Sequence, residues 1–258
     1  MTSSVHKSLS KAEKHLKSGN LAAAEVIYQQ ILAKFPKNTK AIQGYQRLKS
    51  GINSQISSND EVHKEKLREL VNLCTMKKYE EVLLESEEII KRYPKSHRVL
   101  NIIGGANSAL GKYEIAIDIY LEALKICPEN AEVYNNLGNA LRRKGDPDTA
   151  IKNYQKALKI RPENVVTHNN LGLALVDKKQ FDAAIKYYRK SLKIKPGCAE
   201  TYFNIGSALV EKGDLDPAIH NLQKALQIMP SHDKSCNNMG AALRAKGELR
   251  AAINSYDR

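Results

Sequence analysis

The sequence is periodic. Shifting it by 34 residues lays Leu137-Gly138 on Leu171-Gly172, Ile205-Gly206 and Met239-Gly240, and in the other direction on Ile103-Gly104. Pro162 moves onto Pro196 and Pro230, or back onto Pro128 and Pro94. An interval of this size argues against one central core. It calls for copies of one small unit, each covering the apolar face of the next.

The clearest copy is 131–164, AEVYNNLGNALRRKGDPDTAIKNYQKALKIRPEN. Val133, Tyr134, Leu137, Gly138 and Leu141 recur at helical spacing and predict a helix over 132–144. Ala150, Ile151, Tyr154, Ala157, Leu158 and Ile160 predict a second over 148–160. Between them, Gly145 suits the left-handed turn that ends a helix. Asp146 can cap the next helix, with Pro147 at its first position, where no amide hydrogen is missed. Pro162 then stops it. The unit is a helical hairpin. Gly138, Ala150 and Ala157 become Gly172, Ala184 and Ser191, then Gly206, Ala218 and Ala225. Glycine costs about 1 kcal/mol against alanine inside a helix, so its repetition there predicts a close helix approach.

This unit resembles the tetratricopeptide repeat, whose pattern is aromatic-x2-Leu-Gly-x2-aromatic, then Ala-x3-aromatic, then Pro. Here it reads Tyr134, Leu137, Gly138, Leu141, Ala150, Tyr154 and Pro162. The frequent tryptophan of the first aromatic site is missing, since the chain has none. The resemblance implies an all-α fold, a right-handed superhelix (α-solenoid) of 34-residue hairpins, acting as a scaffold for protein–protein interaction.

Taken in order, the chain starts with a unit at 5–38, with Gly19 at its turn, Ala24 and Tyr28 in its second helix and Pro36 at its end. Its first helix is polar and carries Ala12 in place of the glycine, as suits a cap facing water. Residues 39–49 read as a lone first helix, closing an N-terminal unit over 5–49. Residues 50–62 are rich in Ser and Asn and are expected to form a flexible linker. The array then spans 63–258: a less regular unit at 63–96, regular units at 97–130, 131–164, 165–198 and 199–232, and a truncated one at 233–258. In the irregular unit the apolar sites are Leu67, Leu70, Leu73, Val82 and Ile89, with Lys77 at the turn. In the last unit Ala251, Ala252, Ile253 and Tyr256 are expected to lack a covering helix. That implies a longer natural chain, a fraying end, or self-association through it.

Composition removes several functions. No run of 18 apolar residues occurs, so no membrane span is expected. The start has no signal-peptide pattern, which with free thiols suggests the cytoplasm. Cys74, Cys127, Cys198 and Cys236 fall at four phases of the repeat without metal-ligand spacing. Net charge is +13, of which +5 lies in 1–62, none in 63–130 and +8 in 131–258. The excess is dispersed and reads as solvated helix surface. There is no phosphate loop, GxSxG or HExxH. The histidines are scattered, and His168, at the aromatic site, reads as a packing residue. Glu85, Glu87 and Glu88 read as a solvated face. No enzyme activity and no cofactor are expected.

The candidate site is a pattern of amides. Asn136, Asn170, Asn204 and Asn238 lie 34 apart, with Asn101, Asn135, Asn169 and Asn237 in a row beside them and Asn139 one turn on. Asparagine is a poor helix former, so its repetition calls for a use. The resemblance puts these positions on the concave wall, with Arg142, Arg143 and Arg244 as flanking charge. The row is similar to that in the repeat arm of O-linked N-acetylglucosamine transferases, where amides hold the backbone of an extended peptide. An amide suits this, with two donors, an acceptor and no charge to desolvate. On this reading alanine replacements weaken peptide binding and spare stability. The family's carboxylate clamp is not expected: Asn135, Asn139, Asn170, Glu200 and Asn204 stand at its positions without its basic residues. Another protein or peptide segment is the expected partner. Rival readings are the recruiting arm of a glycosyltransferase, sulfotransferase or oxygenase, and weak nucleic-acid binding through positive surface, which lacks aromatic interleaving.

Overall fold

In the computed structural model the backbone is described for residues 2–17 and 20–256, and side chains for 5–16, 20, 23–48 and 64–255. All described elements are α-helices: α1 (Thr2–Lys17), α2 (Leu21–Lys34), α3 (Thr39–Thr75), α4 (Tyr79–Arg92), α5 (His97–Ala109), α6 (Tyr113–Ile126), α7 (Ala131–Lys144), α8 (Pro147–Ile160), α9 (Val165–Asp177), α10 (Phe181–Ile194), α11 (Ala199–Lys212), α12 (Leu215–Ile228), α13 (Asp233–Ala245) and α14 (Leu249–Tyr256). Two compact units form, Met1–Glu69 and Leu70–Arg258.

The segment 50–62, expected as a flexible linker, is helical, because α3 runs from Thr39 to Thr75 without a break. No proline falls between Pro36 and Pro94. Ser and Asn lower helix propensity by tenths of a kcal/mol, roughly, whereas only proline forbids continuation. The division into units falls at Glu69/Leu70. In the first unit Leu9, Ala12, Ala24, Tyr28, Ile31, Ala41 and Leu48 form a core. Gly19 lies outside the described residues.

In the second unit the hairpin reading holds. α7 and α8 fall within a residue of the predicted spans. Gly145 is left-handed at φ 96°. The Asp146 side chain accepts from the Thr149 N–H at 3.0 Å, with Pro147 at the helix start. The repeated glycine has one specific neighbour. A Cβ at Gly138 would lie 2.6 Å from the Tyr154 ring, and one at Gly104 2.5 Å from that of Tyr120. At Gly206 the partner is Leu222, again 2.6 Å away. The four hairpins from α5–α6 to α11–α12 close by laying the large side chain of the second helix on the bare backbone of the first.

Stacking follows from what remains exposed. Each second helix packs on the first helix of the next hairpin, α6 on α7, α8 on α9 and α10 on α11. First helices also touch one another, α5 to α7 through α11 to α13, while among the described contacts no second helix meets another. Helices on the inside of a bend are the ones brought together. The first helices therefore form the inner wall and the second helices the outer face. A seam of buried residues runs from Leu100 through Tyr120, Leu137, Tyr154, Leu171 and Tyr188 to Ala218.

Neighbouring hairpins are also tied by charge. Lys144 pairs with Glu114 at 3.5 Å, Lys178 with Asp148, Lys212 with Asp182 at 2.7 Å and Lys246 with Asp216 at 2.6 Å. Every partner lies 30 residues back. Hydrogen bonds that Lys212 donates to Asp182 and Asp214, and Lys246 to Asp216 and Glu248, hold both ammonium groups above the ordinary lysine range. These exposed pairs are individually weak; their regularity favours one stacking phase.

At the array's far end, Ala252 is buried against Met239 and Leu243 of its own hairpin and Leu222 of the one before, without a following helix to cover it. Ala251 is half-buried, and Leu249 and Ile253 are exposed. The side chain of Tyr256 lies outside the described set.

Lys77 and Lys179 occupy the turn position held elsewhere by Gly111, Gly145, Gly213 and Gly247, and both take φ 58°. A side chain costs about 1–2 kcal/mol in that region. Lys179→Gly should therefore stabilise the protein by about 1 kcal/mol, seen as a higher urea midpoint. An unchanged midpoint would show that this turn carries no strain.

Candidate peptide-binding face

The inner wall is made by α5, α7, α9, α11 and α13, and the asparagines lie along it. In sequence they recur at one interval. In space they touch across hairpins. Asn136 Nδ2 donates to Asn101 Oδ1 at 3.0 Å, and Asn101 Nδ2 donates to Glu132 Oε1 at 2.9 Å. Asn135 Nδ2 donates to Asn136 Oδ1 at 3.3 Å, while Asn135 Oδ1 accepts from Asn170 Nδ2 at 3.0 Å. The result is a continuous relay over α5, α7 and α9.

A second set of links joins these amides to hydroxyls. Thr167 donates to Asn135 Oδ1 at 3.1 Å, and Asn169 Nδ2 donates to Thr201 at 2.9 Å. Asn238 Nδ2 donates to Ser207 at 2.7 Å. Thr167, Thr201 and Ser235 form their own buried row, 34 apart. Sequence reading missed it, although threonine and serine standing where Val99 and Val133 stand in earlier units were the available signal. Phe203 interrupts the asparagine row, so Ser235 pairs with His232 Nδ1 instead, at 2.7 Å. Other repeated asparagines only cap helices: Asn130 accepts from the Val133 N–H, and Asn164 from the Thr167 N–H.

The remaining predicted residues divide sharply. Asn139 accepts from the Tyr154 hydroxyl at 2.8 Å, inside its own hairpin. Arg142 Nη1 reaches Asp177 Oδ2 at 3.1 Å, bridging α7 and α9. Burial pushes the Tyr154 and Tyr188 phenols far above their ordinary value. One interval after Asn139 stands Leu173, which offers no acceptor, and the Tyr188 hydroxyl has no partner. Among the predicted residues, Asn204 and Arg143 make no hydrogen bond or ion pair with any described residue. Asn204 is 7% exposed; Arg143 projects into solvent.

Each amide nitrogen carries two hydrogens. Asn101, Asn136 and Asn170 commit one each and stay half-buried, so one donor per residue is left. The inner wall is thus a pre-set row of donors on a cross-linked base. Among the described residues, no three His, Cys, Asp or Glu side chains gather as a metal would require, and no helix is long and apolar enough to cross a membrane. Cys74, Cys127, Cys198 and Cys236 are free thiols.

His168 packs as expected. It is 6% exposed and stacks on Tyr187, with centroids 6.0 Å apart. Its Nε2–H donates to the Pro162 carbonyl at 2.8 Å, and its Nδ1 has no partner.

A chain of stacked helical hairpins with a polar inner wall is an α-solenoid of the kind that holds another polypeptide. The sequence profile of the tetratricopeptide repeat matches residues 95–163, 129–197 and 164–231, more than half of the chain, which therefore belongs to the tetratricopeptide repeat family of protein-interaction scaffolds. No curated protein matches it in sequence. Solved structures do. MamA is 25% identical with a TM-score of 0.55, over 60% of this chain and 91% of that one. PilW, a widely conserved type IV pilus biogenesis factor, is 21% identical with a TM-score of 0.71, over 75% and 90%. YrrB, a tetratricopeptide protein with an unusual peptide-binding site, is 22% identical with a TM-score of 0.55, over 76% and 97%. PilW and YrrB share the fold; at that identity nothing more is implied.

Two outcomes separate cross-linked from unlinked amides. Asn136→Ala breaks links to Asn101 and Asn135 and should cost about 1–2 kcal/mol in urea unfolding. Asn204→Ala, with no link to lose, should cost clearly less. Equal losses would mean the relay contributes nothing. Burial holds the His168 pKa below its ordinary value of about 6.5, so the unfolded chain binds that proton more readily. Its contribution is complete above that value and is lost as pH falls through it. His168→Leu should flatten this part of the stability–pH profile; a profile parallel to wild type would rule the residue out.

Proposed function

We propose that the array holds an extended polypeptide segment along its inner wall, gripping main chain more than side chains. The observation that carries this is the row of uncommitted amide donors on Asn101, Asn136 and Asn170, continued by the unpartnered amide of Asn204. Their spacing comes from the stacking of hairpins, so it is present before any partner arrives. A rigid site avoids the ordering cost that a loop would incur on binding. Arg143 adds a solvent-exposed charge beside the row.

This reading differs in one respect from the resembled transferase arm. There the amides are a ladder for the ligand. Here half of each donor pair is spent on the neighbouring hairpin, so the same side chains build the wall and present it. A peptide would meet the remaining N–H groups with its carbonyls. The wall would tolerate many sequences, because peptide carbonyls are common to all of them.

The test is selection of peptides from a displayed random library, followed by titration of a selected, labelled peptide. Arg143→Glu combined with Asn204→Ala should weaken binding about tenfold, equivalent to ~1.4 kcal/mol, with helicity unchanged. Undiminished affinity, or cross-links from the bound peptide only to α8, α10 or α12, would dismiss the inner wall as the site.

A further inference from the structure

The outer face carries a second feature that the amide wall does not explain. Between α8 and α10 lies a pocket of about 480 Å³. Leu158, Pro162, His168, Tyr187 and Ile194 give it an apolar base. Lys159, Lys190 and Lys193 stand around it against a single acid, Glu163. All three lysines are exposed, and no described carboxylate pairs with any of them. The acids of α8 and α10, Asp148 and Asp182, are already tied to Lys178 and Lys212 at the other end of those helices.

The fold does not impose this charge. One hairpin earlier, a groove of about 590 Å³ forms between α6 and α8 by the same packing, and there Asp118 and Glu122 balance Lys125 and Lys156. The two pockets are structural equivalents with different electrostatics. Part of the positive excess of the 131–258 half thus lies where a pocket can use it, rather than on open solvated surface.

We infer that the α8–α10 pocket docks an acidic segment of another protein, with one apolar side chain seated on the Leu158–Pro162–Ile194 base and flanking carboxylates on Lys159, Lys190 and Lys193. Size and shape select a peptide over a nucleic acid. The pocket admits one or two side chains, and Lys190 lies 5.1 Å over the Tyr187 ring, covering the aromatic face on which a base would stack. This site lies on the outer face and does not depend on peptide capture by the inner wall. Occupied together, the two sites would let the array hold two segments at once.

The probe is a short fluorescein-labelled peptide with one leucine between glutamates on both sides, followed by anisotropy. Lys159→Glu, Lys190→Glu and Lys193→Glu combined should weaken it about tenfold, three exposed ion pairs acting together. Lys125→Glu, in the balanced groove, and Asn204→Ala, on the inner wall, should leave it unchanged. Replacing the probe's leucine by serine should also weaken it. The inference is overturned if the probe does not bind, if Lys125→Glu matches the triple variant, if the serine probe binds equally well, or if labelled single-stranded DNA or phosphatidylserine vesicles bind the pocket more tightly.

Discussion

Everything in the array follows from how closely two helices of one hairpin approach. The Tyr154 ring rests on Gly138 at a distance that leaves no room for a Cβ, and Tyr120 does the same on Gly104. That contact sets the hairpin's width. A fixed width fixes the offset to the next hairpin, and a constant offset over several copies bends the stack. The bend brings first helices together and keeps second helices apart. Inner wall and outer face thus follow from one contact repeated in phase, a glycine under a tyrosine or, at Gly206, under Leu222.

The two faces then use their polar groups differently. On the inner wall, side chains a period apart come within hydrogen-bond reach, so amides there meet amides. Amides drawn out of water favour partners, and the relay from Glu132 through Asn101, Asn136 and Asn135 to Asn170 supplies them over α5, α7 and α9. On the outer face the second helices stand apart, leaving grooves between them. Lysines there meet water, aromatic rings or open pocket instead of one another. Polar residues on the inside both hold the stack together and face the groove, whereas the lysines between α8 and α10 remain unpaired.

The hairpins, their caps and their turns were legible in the sequence because each is decided locally. Gly145, Asp146 and Pro147 act within a few residues of one another. Interval and helical periodicity were enough for α5 to α13. Two things were not legible. The Ser/Asn-rich stretch at 50–62 reads as a linker, yet nothing in it forbids a helix, and α3 runs through. The asparagines read as ligand contacts because the sequence gives their phase and not the distance between adjacent first helices. Only the bend shows that Asn136 reaches Asn101, or that Thr167 reaches Asn135. The lysine–acid ties went unread, because their pairing depends on packing between hairpins.

Those ties have a consequence for how such a chain can lengthen. Lys178 answers to Asp148 and Lys212 to Asp182, always with the same separation along the chain. Excising one whole period would hand each lysine an equivalent carboxylate, and adding one would supply both members of a new pair. A cut or insertion of any other length would strand charges on both sides of the junction. The electrostatics therefore act as a reading frame for recombination, in which growth by complete modules is silent and every partial step is marked.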